Sequence, residues 1–486
     1  MPPRPSPGLL TVPLDPSAPD TLHRQLYEGL RVRMVDGRLR PGQRLPASRT
    51  LAADLDVARG TVVAAYDQLL IEGYIVSRPG AGTFVADALP EDFFLSTDER
   101  TGETSPGAVS PARSSERSRA VVAASIPYDV PGSVRPLRPC LAPIDQFPRD
   151  RWAKLSAALV RELPVEALGY GDPQGYGPLR EAIAEYLGAA RGVRCSASQI
   201  LITGGSQQAL WLAAQVLLDV GNSVWVEDPG YGGVRVALAT VGADAVPVPV
   251  DADGLVVNEG IRLAPNARMA VVAPAYQYPL GVTMSLSRRV ELLRWAHARG
   301  GWIVEDDYDG EYRYAGDPLA TLHSLDPEGR VLYIGTLSKV LAPALRMGYI
   351  VVPPGLVESF VRAKDAANGH APTLAQATLA RFIDEGDFGR HLRRMRRTAA
   401  SRRDALVNAL RKGGLAVDAP PAGLQLYLDR GPDASEVEGR AAVAGITVVA
   451  PAREGSAPTG LVLGFAAFRE GQIRWAAREL LRVLGA

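Results

Sequence analysis

Apolar residues first recur at helical spacing in "TLHRQLYEGLRVRMVDGRL", where Leu22, Leu26, Leu30 and Met34 share one face of a 3.6-residue period. Pro41-Gly42 then marks a turn, and Ser48 is placed to N-cap a short helix running to about Leu55. A second helix is expected from Ala58-Arg59-Gly60-Thr61 through Leu70, with Gly73 positioned to end it. "YIVSRPGAGTFVA" changes to short apolar runs around a glycine-rich tip, which is a hairpin pattern.

Over residues 87–125 the periodicity stops. "STDERTGETSPGAVSPARSSERSR" buries too little apolar surface to offset chain entropy, so this stretch reads as a flexible linker. From 126 onward, amphipathic helical stretches alternate with the apolar runs "SVWVED", "MAVVAP", "WIVEDD" and "VLYIGT". That alternation predicts an α/β domain with a largely parallel sheet. Its large part extends to about 355. The region 370–486 begins with the helical "RHLRRMRRTAASRRDALVNALR" and ends in apolar runs, the pattern of a smaller α+β subdomain. No internal repeat is visible.

Two helices joined so tightly in residues 1–86 fit a helix-turn-helix, whose second helix enters the major groove by its N-terminal residues. Arg59 and Thr61 stand there, suited to base edges or phosphates. Arg49 and Ser48 on the preceding helix suit the backbone, and Arg78 sits at the hairpin tip. A small helical domain with solvated arginines is the competing reading.

Composition narrows the class. The chain has 486 residues, 47% hydrophobic and 22% charged, which is ordinary globular usage with room for several domains. Formal net charge is zero, so any basic surface must be local. Cys140 and Cys195 are too few for a disulfide framework and suit a reducing cytosol. No apolar leader and no membrane-length apolar run occur, so a soluble cytoplasmic protein is expected. Among 53 Lys+Arg, lysine stands only at Lys154, Lys339, Lys364 and Lys412. Arginine does not lose a proton to become an amine nucleophile, which makes these four lysines worth examining.

Several of the remaining residues make sense together as a site for pyridoxal 5'-phosphate, which needs an amine, an anion, a phosphate cradle and a stacking ring. Lys339, in "YIGTLSKVLAPALRMGYI", is the candidate amine; Thr336, Ser338 and Arg346 beside it offer phosphate contacts. In "WIVEDDYDGEYRY", Asp306 is the candidate partner for the pyridine nitrogen and Tyr308 for the ring hydroxyl. A solvated acidic loop or a divalent-metal site competes with that reading, although no metal is expected. Gly204 and Gly205, followed by Ser206 and Gln207, turn from a strand into a helix whose N-terminus favours an anion. Tyr231, in "VWVEDPGY", is the candidate stacking ring.

In order along the chain, "YGDPQGYGPLREAIAEYL", "ITGGSQQ", "EDPGY", "AYQYPLG", "EDDYD" and "GTLSKVLAPALRMGY" resemble the aminotransferases of fold type I over residues 126–486. "LPASRTLAADLDVARGTVVAAY", "L-EGYI" and "GAGTFV" resemble the GntR-type winged helix over residues 20–86. The combination resembles the MocR/GabR group of bacterial regulators. That resemblance implies a winged helix fused to a PLP-dependent transferase fold of type I, with the cofactor held as an internal aldimine at Lys339. It also implies a double-stranded DNA operator, a homodimer and a small-molecule effector, which would be an amine, an amino acid or the cofactor itself. "AYQYPLG" corresponds to the family's asparagine-containing loop beside the ring. Gln277 and Tyr278 stand in that neighbourhood, and Gln277 is counted among the cofactor contacts.

The pattern breaks in "GLVLGFAAF", where Val462 occupies the position of the family's substrate-carboxylate arginine. Arg453 and Arg235 are the candidate substitutes. Without that arginine, transamination is expected to be slight or absent, and a PdxR-like regulator sensing the vitamin becomes the nearest analogue. A working aminotransferase and a repressor using this domain only to dimerise remain the alternatives.

Overall fold

A computed structural model describes residues 12–90, 114–124, 134–316, 320–429, 433–451 and 459–485. The chain divides into two compact units, Met1–Ala112 and Arg113–Ala486.

In the first unit, α1 (Leu22–Val35) turns Leu26, Leu30 and Met34 inward. They pack with Val62, Ala65 and Leu69 of α3 (Arg59–Ile71) and Leu51 of α2 (Ser48–Asp54). Each such leucine contributes about 1.5–3 kcal/mol by leaving water. Gly73, at φ +83°, lets the chain reverse after α3. Strands β1 (Ile75–Arg78) and β2 (Gly82–Val85) form an antiparallel hairpin with Arg78 opposite Gly82. The start of α2 differs from the sequence expectation. Ala47 holds the N-cap position in extended backbone, no side chain caps the helix, and Ser48 is already its first helical residue.

Most of the segment read as a linker lies outside the described residues. Within it, α4 (Glu116–Ala124) is helical, which corrects the expectation of an unstructured stretch there. Ser115 Oγ accepts the backbone N–H of Ser118, Glu116 complements the helix dipole, and the alanines that follow favour the helix. It runs beside the helix Gly232–Val241 of the same unit.

The second unit is built on an eight-stranded sheet. Ahead of it, α5 (Arg149–Glu162) and α6 (Gly177–Arg191) give Leu155, Leu179, Ile183 and Leu187 to the core shared with the C-terminal part. The strands are β3 (Ile200–Thr203), β4 (Ser223–Asp228), β5 (Asp244–Asp251), β6 (Gly254–Leu255), β7 (Met269–Val272), β8 (Trp302–Asp307), β9 (Val331–Thr336) and β10 (Gly348–Val351). Their spatial order is β3-β10-β9-β8-β7-β4-β5-β6. Strands β9, β8, β7, β4 and β5 run parallel, while β10 is antiparallel to both its neighbours. The central strands are apolar on both faces because helices cover both. Val224, Val226, Met269 and Val271 point to one core, with α7 (Ser206–Leu217) and α8 (Gly232–Val241). Trp225, Ala270, Val272 and Ile303 point to the other, where Trp225 stacks on Trp295 with centroids 4.0 Å apart.

The C-terminal part packs the 26-residue helix Asp387–Lys412 against the two-stranded antiparallel sheet of β11 (Gln425–Asp429) and β12 (Gly460–Gly464) and the helix Glu470–Leu484. Along the long helix, Phe388, Leu392, Met395, Ala399, Leu406 and Leu410 form the buried stripe. Among the described residues no helix is long and apolar enough to cross a membrane.

Candidate functional sites

Parallel strands that end together leave their carboxyl ends and the following turns facing one crevice. Here that crevice holds a pocket of about 520 Å³. Glu227 reaches it from the end of β4, Asp306 and Tyr308 from the end of β8, and Lys339 from the turn after β9. Ser206, at the start of α7, and Tyr231, just before α8, close the opposite wall. Lys339 Nζ donates to the carbonyl of Cys140 at 2.6 Å, and Tyr312 Oη donates to the Lys339 carbonyl at 2.7 Å. Of the other lysines, Lys154 and Lys412 are exposed, while Lys364 is buried and donates to the Gly369 carbonyl.

Strand β8 sorts the acidic cluster by its period of two. Asp306 faces the pocket. On the opposite face, Glu305 accepts the backbone N–H groups of Leu322 (3.0 Å) and His323 (2.9 Å). Asp307, also on that face, pairs with Arg191 and accepts the Tyr333 hydroxyl. Asp306 is 7% exposed, and burial pushes its carboxyl up to about 7, with Asp307 adding to the shift and Lys339 opposing it. Its Oδ1 and the hydroxyl of Tyr308 are buried without a hydrogen-bond partner among the described residues. Leaving such groups unpaired costs about 1–3 kcal/mol each, so a ligand supplying a cation and an acceptor there satisfies both. No group of acids, histidines or cysteines among the described residues is arranged to hold a metal ion.

Next to this pocket lies a place for an anion. Gly205, at φ +113°, caps α7 in a conformation reserved for glycine. A Cβ there would sit 3.6–3.8 Å from the guanidinium of Arg346, so the absent side chain leaves a gap between the helix N-terminus and a cation. Gln207 donates to the Gly233 carbonyl at 2.8 Å and accepts from the Tyr231 hydroxyl at 3.3 Å, joining the starts of α7 and α8. Thr336 Oγ1 accepts the Ser338 N–H at 3.2 Å, shaping the turn before Lys339.

Gln277 lies behind the wall. It is 1% exposed, and its amide donates to the Pro229 carbonyl (2.8 Å) and Glu227 (3.3 Å) and accepts from the Leu280 N–H. Tyr278 is the residue of that loop that lines the pocket, which corrects the sequence assignment of Gln277 as the contact. A buried amide must satisfy its donors and acceptor, and this one does so within the wall. Glu227, Ala273 and Cys140 also line the pocket and were missed. For Glu227 a signal existed, an acid closing an apolar strand. Burial pushes its carboxyl up to about 8. Val462 is fully buried in β12, opposite Tyr427 and bridged to Val449. Arg235 lines a smaller cavity beside Glu227 and Asp306, and Arg453 lies outside the described residues.

In the first unit, Arg59 stands exposed at the N-terminus of α3 with Thr61 half-buried, and Arg49 is exposed on α2. Arg59 Nε lies 3.5 Å from Ser48 Oγ. Arg78 stacks over the Phe84 ring at 4.8 Å and pairs with Asp87 at 3.7 Å. Sequence reading missed Arg44, which bridges to Phe84 of β2 and whose guanidinium lies 3.0–3.4 Å from where a Gly82 Cβ would stand, near the tip of the same hairpin.

Comparison with known proteins fits this division. The family of bacterial regulatory proteins, gntR family, matches residues 22–85, and aminotransferase class I and II matches residues 148–450. The chain is 41% identical to the probable rhizopine catabolism regulatory protein MocR of Rhizobium meliloti, over 85% of this chain and 82% of that protein. It is 29% identical to the pyridoxine biosynthesis transcriptional regulator PdxR of Corynebacterium glutamicum, over 97% and 98% of the two chains. Among solved structures, the α-aminoadipate aminotransferase LysN of Thermus thermophilus, complexed with N-(5'-phosphopyridoxyl)-L-leucine, superposes with a TM-score of 0.67 at 28% identity. That superposition covers 76% of this chain and 95% of LysN.

Proposed function

We propose, from the premise that this chain belongs to the MocR-type bacterial regulators joining a gntR-family domain to an aminotransferase class I and II domain, that pyridoxal 5'-phosphate held at Lys339 makes its DNA binding responsive to a small molecule. One observation carries the reading. Lys339, Asp306 and Tyr308 converge in one pocket, and the last two present buried polar atoms that nothing among the described residues satisfies. When bound, the cofactor supplies an aldehyde that primary amines attack and a ring that draws electrons.

The chain's own residues do the rest. Asp306, ionised by a cation opposite it, holds a proton on the pyridine nitrogen, and Tyr308 donates to the ring hydroxyl. Gly205, Ser206, Thr336, Ser338 and Arg346 hold the phosphate at the N-terminus of α7. Tyr231 covers the ring, with Gln207 keeping its hydroxyl in place. Lys339 supplies the amine, and its hydrogen bond to the Cys140 carbonyl aims it across the pocket. Val462 offers no charge to a carboxylate, which favours an effector without one, or the cofactor itself, and makes rapid transamination of amino acids unfavourable.

In the first unit, Arg59, Thr61, Ser48, Arg49 and Arg78 meet double-stranded operator DNA, with α3 in the major groove. A homodimer in the cytoplasm, reading two half-sites, supplies enough phosphate contacts for specific binding. The effector acts by binding one arrangement of the units, joined through 87–125, better than another.

Spectroscopy of the purified protein with pyridoxal 5'-phosphate, beside Lys339→Ala, tests this. A near-visible absorption band in the wild type that disappears in the variant is expected. A wild type without the band removes the cofactor from the reading and leaves a DNA-binding protein on a transaminase-shaped scaffold.

A further inference from the structure

The segment described from residue 134 passes Lys339 at Cys140, and its backbone there is unusual. Leu137 and Cys140 both adopt left-handed φ, +71° and +62°, where ordinary residues lose roughly 1–2 kcal/mol. Such strain persists only when the surroundings impose it, and it concentrates at functional sites. Here three ties impose it. The Gly464 N–H donates to the Leu137 carbonyl at 2.7 Å, the Cys140 N–H donates to Gln425 Oε1 at 3.0 Å, and Lys339 Nζ donates to the Cys140 carbonyl. The segment also lies flat on β12, since a Cβ on Gly464 would fall 2.0 Å from the Arg138 carbonyl oxygen. The Cys140 side chain is therefore a fixed piece of wall, its Sγ 3.1 Å from Gln425 Oε1.

That wall faces a pocket with definite charge. Glu227 and Asp306 line it, Asp306 Oδ1 and the Tyr308 hydroxyl are buried without partners among the described residues, and Lys339 is the one cation among its described lining residues. Asp306 and Tyr308 serve the cofactor's ring, and Glu227 is the acid left to complement an amine. An amine nitrogen that takes the place of Lys339 Nζ beside the Cys140 carbonyl brings its own carbon next to Cys140, which lines the pocket. Lys339 itself meets that position with an unbranched methylene.

We propose that Cys140 sets which amines the pocket admits: those with a –CH2–NH2 terminus enter, and those branched at the nitrogen-bearing carbon are turned away. α-Amino acids with a side chain fall in the excluded class, because their nitrogen-bearing carbon carries both that side chain and the carboxylate. The inference rests on the reading of this pocket as the cofactor and effector site.

A matched pair of probes, 2-aminoethanol and 2-aminopropan-1-ol, differs by one methyl branch. Their affinities are measured by calorimetry and by the change in the absorption band, on the full chain loaded with pyridoxal 5'-phosphate. The wild type is expected to bind the unbranched amine about tenfold tighter or more, the usual weight of one misplaced methyl group. Cys140→Gly, at ease at φ +62°, keeps the fold and reduces the ratio to about threefold or less, while Cys140→Ser retains it. An unchanged ratio in Cys140→Gly overturns the proposal, as does a wild type that binds both amines equally or neither. In each of those cases a persisting band leaves the cofactor reading intact. Loss of the band in the wild type is the separate failure of that reading, and takes this proposal with it.

Discussion

Arg49, Arg59 and Arg78 of the N-terminal unit stand in water, whereas Asp306, Glu305 and Asp309 of the C-terminal unit are buried and carry carboxyls pushed above the ordinary range. The first arrangement suits a long polyanion. Each solvated cation adds a modest, salt-screened increment, and the total comes from number. The second suits a small ligand that displaces water. There a few desolvated groups each matter greatly, and protonation rather than salt controls them. The two units therefore predict opposite sensitivities, and the clearest experiments ask whether each fails in its own way.

The largest effect is expected at Asp306. Asp306→Asn keeps the volume and removes the charge opposite the pyridine nitrogen, so retention of pyridoxal 5'-phosphate should weaken by about a hundredfold. Fluorescence titration at low and high salt should give nearly the same loss, and a loss that depends strongly on salt would break the contrast. The same residue predicts a pH effect without cofactor. Folded Asp306 keeps its proton to about pH 7, while the unfolded chain releases it near the ordinary value of 3.8. Between those values the folded state binds more protons, so its stability is full below the lower value and is lost as pH rises through about 7. Glu305 and Glu227 add in the same direction. Thermal unfolding of the cofactor-free protein should fall in midpoint from about pH 5 to about pH 8. Asp306→Asn should flatten that fall.

Much of this contrast could be read from residue order. The helical stripe Leu26, Leu30 and Met34, the two-faced apolar strands and the glycine turn before α7 all follow local periodicity, and the structure folds them as expected. The placement of Lys339, Asp306, Tyr308, Tyr231 and Ser206 around one pocket was also legible, since each closes or follows an apolar run. Period-two alternation in "WIVEDD" even contains the reason Asp306 parts from Glu305 and Asp307. Other details depended on contacts distant in sequence. Whether Gln277 or Tyr278 faces the pocket turns on bonds from Gln277 to Glu227 and Pro229, and the place of Cys140 turns on Gln425, 285 residues away. Helix α4 was hidden because its short "ERSRAVVAA" follows a polar run that masks its weak propensity.

At Arg59 the expected effect is smaller and of another kind. Arg59→Ala should weaken operator binding by about tenfold and lower the salt slope of log K by about one, since one phosphate-range cation is lost. Gel-shift or anisotropy titrations at several salt concentrations measure both. Arg44, near the tip of the hairpin, should behave similarly if the hairpin meets the backbone. An Arg59→Ala loss independent of salt would mean that the residue acts structurally, through its contact with Ser48, and would weaken the contrast from the other side.

The smallest expected effect separates the two descriptions of α2. A serine acting as N-cap contributes about 1 kcal/mol, and replacing it with alanine frays the first turn. In the structure Ala47 already fills that position, no side-chain bond caps the helix, and Ser48 lies one residue inside. Ser48→Ala should therefore leave amide-exchange protection at the buried Leu51 and Ala52 unchanged to within about 0.3 kcal/mol, because alanine is the better helix former at an interior position. A loss of protection near the full capping value would restore Ser48 to the cap. An unchanged α2 together with weakened operator binding would instead assign the hydroxyl to DNA, directly or through Arg59, and so add one more small solvated contact to the unit that works by number.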